Sequence, residues 1–96
     1  MNSKDRAYLR SLANTVEPIL QVGKSGITDN LIKQVNDALE ARELIKITVL
    51  ETAPEDAKET AIKLSNNSNR VVVQVLGRKI TLYRKSKKDS KISIDV

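Results

Sequence analysis

Between Ile19 and Leu50 the chain passes from a short apolar run, through two glycines, into a helical repeat and out again into a β-branched run. This order constrains the fold more than any other stretch, because two successive strands joined through a helix pair in parallel with that helix on one face. Ile19-Leu20-Gln21-Val22 is too short for a helix and suits a strand. Thr28 is a good N-cap, its hydroxyl suited to accept an orphan backbone N–H, and Ile27 before it can staple onto Ile32. Apolar residues then recur at Leu31, Ile32, Val35, Ala38 and Leu39, the spacing of one buried helical face. From Leu44 to Leu50 alternation puts Ile45, Ile47 and Val49 on one face and Lys46 and Thr48 on the other. The segment Gly23-Lys24-Ser25-Gly26 therefore sits in a strand-to-helix turn.

The flanks complete a small domain. Residues 3 to 14 predict a first helix capped by Ser3, with Tyr8, Leu9, Leu12 and Ala13 on one side, ended before Pro18. Thr52-Ala53-Pro54-Glu55 has the spacing of a capping box and opens a third helix that uses Ala57, Ala61, Ile62 and Leu64. Asn66 to Asn69 is a polar stop. Arg70 to Leu76 and Lys79 to Arg84 flank Gly77-Arg78, a hairpin turn with glycine first, as type II′ requires. Val71, Val73 and Val75 are expected on the core face with Ile80 and Leu82, while Gln74, Lys79, Thr81 and Tyr83 share the opposite face with Lys46 and Thr48. The order helix, strand, helix, strand, helix, strand, strand implies a two-layer α/β domain with the second and third helices on one face of the sheet. The other face is bare unless the first helix covers it. Residues 1–96 read as a single domain in which 85–96 form a mobile basic tail, with Ile92 and Ile94 suited to a weak terminal strand.

Charge and composition exclude several functions. The chain has neither cysteine nor histidine, which removes disulfides, the usual zinc sites, thiol catalysis and histidine-based acid/base schemes. No apolar run approaches the roughly 20 residues that span a bilayer, and the first residues lead into no signal-type stretch, so no membrane association and a cytoplasmic location are expected. With 17 basic and 12 acidic residues the net charge is +5. The acidic residues concentrate between Asp29 and Glu59 and the basic ones between Arg70 and Lys91, an asymmetry that favours a polyanionic partner.

The glycine turn has chemistry to match. A helix N-terminus presents unpaired N–H groups and the positive end of its dipole, glycines admit a ligand close to the backbone, and Lys24 adds a mobile positive charge. The plainer reading is that Gly23 and Gly26 only permit a tight turn. Asp29, in the first helical turn, competes with an anion for the same dipole. The motif has neither the spacing of a P-loop nor the three glycines of a dinucleotide fingerprint, so no cofactor, no small-molecule substrate and no catalysis are expected.

Three blocks together, Gly23-Lys24-Ser25-Gly26-Ile27-Thr28-Asp29-Asn30, Ala41-Arg42-Glu43-Leu44-Ile45-Lys46-Ile47 and Gly77-Arg78-Lys79-Ile80-Thr81-Leu82-Tyr83-Arg84, closely resemble the YhbY family of bacterial RNA-binding proteins, stand-alone CRM domains. The resemblance covers Ser3 to Arg84. It implies a fold like the C-terminal domain of bacterial translation initiation factor three, with a four-stranded mixed sheet whose last strand runs antiparallel to the others. It also implies association with precursors of the large ribosomal subunit and RNA contact through the glycine loop and neighbouring basic surface. Family members commonly carry His where this chain has Arg42, whose charge is permanent.

The expected function is non-catalytic binding of structured ribosomal RNA by a monomer, through its phosphate backbone. Gly23, Lys24, Ser25 and Gly26 form the centre of the expected site. Lys46, Arg78, Lys79, Arg84, Lys85, Lys87 and Lys88 supply the surrounding charge, and about five phosphate contacts are expected. Lys46 reads equally as an ordinary open-face lysine, and the residues from Arg84 onward as a solvated tail. With only Tyr8 and Tyr83 as aromatics, reading of shape and phosphate fits better than base stacking. The alternative is a protein-interaction module that docks on a ribosomal protein or assembly factor through its acidic stretch.

Overall fold

The computed structural model describes residues 2–66, 70–87 and 92. Their order is α1 (Ser3–Ala13), β1 (Pro18–Val22), α2 (Asp29–Arg42), β2 (Leu44–Val49), α3 (Ala57–Ser65), β3 (Val71–Leu76) and β4 (Lys79–Tyr83). The strands form one sheet in the order β1-β2-β4-β3. β1 and β2 are parallel, and β4 runs antiparallel to both β2 and β3. This is the expected mixed four-stranded α/β architecture. No helix of the described residues is long and apolar enough to cross a membrane.

The main core lies between the sheet and the helix pair α2 and α3. Leu31, Val35 and Leu39 of α2 and Ala57, Ala61 and Leu64 of α3 pack on Val22, Ile45, Ile47, Val49, Ile80 and Leu82. The alternation in β2 therefore holds residue for residue. Ile62 does not join this core and is 51% exposed. The buried positions of α3 run 57, 60, 61, 64, and Ile62 falls about 100° away from that stripe.

The second face is covered by α1. Leu9 and Ala13 pack on Leu44, Val73 and Tyr83, with Leu12 and Val16 beside them. Tyr83 is only 1% exposed, which removes it from any role in stacking on RNA. Tyr8 points away from this cluster and is 46% exposed. Lys46 spans the same face, and its Nζ donates to the carbonyl of Ala13 at 2.7 Å, where it joins the Val16 N–H, which donates to the same oxygen at 3.1 Å, at the C-terminal end of α1.

Strand β3 departs from the expected pattern. Its register to β4 shifts between Val72 and Gln74, so Val72 pairs with Leu82 and Val75 with Ile80. Val71 and Val73 thus share the α1 face with Tyr83, and the simple alternation of Val71, Val73 and Val75 is broken by one inserted residue. Arg6 of α1 holds the irregularity, its Nη1 donating to the carbonyls of Val72 at 2.7 Å and Val73 at 3.0 Å. Gln74 still pairs with Thr81 on the α1 face, as the sequence implies.

Helix boundaries follow local chemistry. α1 is capped by Asn2, whose Oδ1 accepts from the Asp5 N–H at 2.8 Å, in place of Ser3. α3 starts five residues beyond the Thr52 signal. Asp56 caps it, accepting from the Glu59 N–H at 2.8 Å, in an Asp-x-x-Glu spacing that duplicates the one at Thr52. The residues between form a turn in which the Ala53 N–H reaches the Leu50 carbonyl. Arg70 ties three elements from a buried position, donating through Nε to the Leu64 carbonyl and through Nη1 to Asn36 Oδ1. Burial, and then the nearby charge of Arg84, lower its pKa from the ordinary arginine value.

The last turn of α2 holds the segment after β4. Glu43 sits at φ +65°, buried, and its carboxylate accepts from the N–H groups of Ser86 at 2.8 Å and Ile92 at 2.9 Å. Glu40 accepts from Arg84 Nη2, Ser86 Oγ and the Lys87 N–H. The segment expected to be a mobile tail is thus bonded to the C-terminal end of α2 and its cap at Ser86, Lys87 and Ile92. Its remaining positions, 88–91 and 93–96, lie outside the described residues, as do 67–69 of the polar stop.

Candidate functional site

The parallel pairing of β1 with β2 brings the glycine turn to the end of the sheet where Val22 lies beside Val49. The Gly77-Arg78 hairpin tip is at the same end, since the Val49 N–H donates to the Arg78 carbonyl at 2.7 Å. Gly77 has φ +60° and Arg78 is not at positive φ, in agreement with a type II′ turn.

The turn itself closes through the Gly26 N–H, which donates to the Gly23 carbonyl at 3.0 Å. The two glycines have different reasons. Gly26 is at φ +68°, and a Cβ there would lie 2.9 Å from Pro54 Cγ. The protein's own packing therefore requires it. Gly23 is outside the positive-φ region, and among the described residues a Cβ there would meet only Leu50 Cδ1 at 3.9 Å, an ordinary contact. Nothing in the fold demands glycine at that position.

Beyond the turn, Thr28 caps α2 as expected, its Oγ1 accepting from the Leu31 N–H at 3.1 Å while its carbonyl accepts from Ile32. The N–H groups of Asp29 and Asn30 have no acceptor among the described residues, as first-turn amides of a helix do not. An open hollow of about 260 Å³ lies here, lined by the turn from Gly23 to Gly26 together with Gln21, Thr28, Asn30, Leu31 and Gln34. Lys24 is exposed on its rim. Backbone donors, a helix dipole and one lysine make a concave site suited to an anion, with Asp29 as the opposing charge.

The expected basic residues divide between the two ends of the sheet. Arg78 and Lys79 are exposed and lie at the glycine-turn end, and Arg78 Nη2 pairs with Glu51 Oε1 at 2.8 Å. Lys46 is in the middle of β2 with its ammonium on Ala13. Arg84, Lys85 and Lys87 follow β4 at the other end, roughly 17 Å away along β2. Arg84 is there bound to Glu40 at 3.0 Å with its side chain 12% exposed. Lys88 lies outside the described residues. Arg42 is also at that far end, on an apolar hollow lined by Leu12, Val16, Ile19, Leu44 and Ile92. Sequence reasoning misses Gln21, which lines the site from the outward side of β1, and Pro54, which shapes the turn from another loop. Alternation along β1 signals the first; nothing local signals the second.

A family model described as the CRS1 / YhbY (CRM) domain matches residues 1–84. The Bacillus subtilis protein named "Probable RNA-binding protein YqeI" is 45% identical over 94 residues, which cover 98% of each chain. A Haemophilus influenzae protein named "RNA-binding protein" is 28% identical over 95 residues, covering 98% of this chain and 94% of its own. Among solved structures, the solution structure of the Staphylococcus aureus protein SAV1595 superposes with a TM-score of 0.80 at 46% identity, over 99% of both chains.

Proposed function

Because the chain belongs to the CRS1 / YhbY (CRM) domain family, we propose that it is a non-catalytic RNA-binding protein that grips the phosphate backbone of structured RNA at the glycine turn. The observation that carries this reading is the contrast between the two glycines. Gly26 answers to Pro54, whereas Gly23 has room for a side chain that the sequence does not supply. A missing side chain where the fold would accept one leaves the backbone open to close approach by a ligand.

The anion belongs in the hollow beside Gly23, facing the first-turn amides of α2, with Lys24 as its mobile counter-charge. Arg78 and Lys79 extend the positive potential along the same end. On this reading the target is ribosomal RNA of large-subunit precursors, and the protein takes part in their assembly.

The test is binding of a fluorescein-labelled ribosomal RNA fragment by Lys24→Ala and by Gly23→Val, with urea unfolding measured on both. Binding weakened about threefold to tenfold by Lys24→Ala, and more by Gly23→Val, supports the site. Wild-type binding by both folded variants refutes it.

A further inference from the structure

The register of the sheet lays a row of side chains beside the glycine turn, on the face that α1 covers at its other end. Gln21 of β1 pairs with Thr48 of β2, Thr48 with Lys79 of β4, and Lys79 with Leu76 of β3. Gln21 also lines the hollow at Gly23, so hollow and row form one surface. Gln21, Lys79 and Leu76 are exposed and Thr48 is half-buried. Leu76, at 69%, is the most exposed of the large apolar side chains among the described residues.

Charge gives this surface a direction. The next row on the same face is Lys46, Thr81 and Gln74, and neither row contains a carboxylate. The opposite flank of the glycine turn, beyond Pro54, is a hollow lined by Glu51, Glu55 and Asp56 together with Arg78. A polyanion leaving the turn is repelled on the Pro54 side and drawn across the row.

We infer that an unpaired segment of the bound RNA runs from the glycine turn across this row, over Gln21, Thr48 and Lys79 to Leu76. The inference rests on the RNA-binding reading of the turn and adds the kind of RNA that it takes. Three inter-strand spacings make the row about 14 Å long, and α1 stands on the same face as a wall beside it. That floor takes one strand. The amide of Gln21 and the hydroxyl of Thr48 both donate and accept, which suits ribose 2′-hydroxyls and base edges that only an unpaired segment exposes. Lys79 meets a phosphate, and Leu76 offers an apolar seat for a base in a row without aromatics.

The experiment is fluorescence anisotropy of the full chain with two fluorescein-labelled RNA hairpins, one blunt and one carrying an unpaired 3′ extension of about eight nucleotides. The extension is expected to tighten binding about tenfold. Thr48→Val, and separately Leu76→Ser, are expected to remove most of that gain and to leave the blunt hairpin bound as by wild type, since neither residue lines the hollow at Gly23. Both are surface changes, and unfolding curves check that the fold survives. An extension that adds nothing, or row variants that bind the extended hairpin as wild type does, overturns the inference. If Lys24→Ala at the same time weakens both hairpins, the reading of the turn survives and the row alone falls. Failure of wild type to bind either hairpin overturns both.

Discussion

Pro54 Cγ occupies the space next to Gly26 so closely that a Cβ on the glycine would approach it to 2.9 Å. The same residue is at φ +68°, where an L side chain costs about 1–2 kcal/mol. Gly26→Ala is therefore expected to lower stability by about 2 kcal/mol or more, with the Pro54 loop forced to move. Gly23→Ala carries neither penalty and restricts the unfolded chain, so it is expected to stay within about 1 kcal/mol of wild type. Urea unfolding of the two variants checks the contrast, and equal losses would contradict it.

Lys46 illustrates how a charge in a strand divides between structure and function. Its ammonium donates to the Ala13 carbonyl at 2.7 Å from a half-buried position. A hydrogen bond from a charged donor contributes about 1.5–3 kcal/mol, discounted here for partial exposure. Lys46→Met keeps the stem and removes the donor, and is expected to cost about 1 kcal/mol in urea unfolding. Its effect on RNA affinity is expected to be smaller than that of Lys24→Ala, since the ammonium is already engaged. A larger effect on affinity than on stability would assign Lys46 to the RNA.

Tyr83 makes stability depend on pH at the alkaline end. Burial first, and then the negative charges of Glu43 and Asp5, raise its pKa above the ordinary 10.0. The folded state thus prefers the protonated phenol. Its contribution is fully present below pH of about 10 and is lost as pH rises through the folded value. Among the described residues the hydroxyl has no hydrogen-bond partner in its buried position, so Tyr83→Phe removes a group unsatisfied there. The variant is expected to be within about 1 kcal/mol of wild type, or more stable, near pH 7. It is also expected to lose less stability than wild type above pH of about 10. Unfolding curves from pH 7 to 11 for both proteins measure the difference, and parallel losses would refute it.

The parts of this fold that local patterning determines are legible in the sequence. Thr28 caps α2, the faces of β2 alternate as expected, and Gly77 turns the hairpin, because each depends on neighbours within a few residues. What escapes is set by distant partners. Arg6 on α1 reaches Val73, 67 residues further on in the chain, and pins the bulge that turns it toward Tyr83. Two chemically equivalent capping signals, at Thr52 and Asp56, compete within five residues, and only packing of Ala57 and Ala61 on the core selects the second. The glycine turn was identifiable as a motif. The unequal roles of its two glycines were not, because Pro54 belongs to another loop. Charge position was the least legible feature. Arg84 and Arg78 lie six residues apart, yet the intervening strand carries them to opposite ends of the sheet, one onto Glu40 and the other onto Glu51.

That separation makes the salt dependence of RNA binding diagnostic. Each phosphate neutralised contributes about −0.7 to −0.9 to the slope of log K against log salt, the lower figure holding for single strands. A site confined to the glycine-turn end uses Lys24, Arg78 and Lys79, and is expected to give a slope of about −2 to −3. A footprint that also takes in Arg84, Lys85 and Lys87 would use about six contacts and reach −4 or steeper. Arg84 is held by Glu40 in a largely buried pair, whereas the Arg78–Glu51 pair lies open to solvent and can exchange its carboxylate for a phosphate, and an RNA backbone gripped at the turn would have to cross the length of β2 to reach Arg84. The shallower slope is therefore expected from a titration between about 50 and 200 mM salt. It should fall by nearly one unit in Lys24→Ala and stay unchanged in a variant with Lys85 and Lys87 both replaced by Ala. A slope of −4 that collapses in the double variant would move the binding surface to the other end of the sheet.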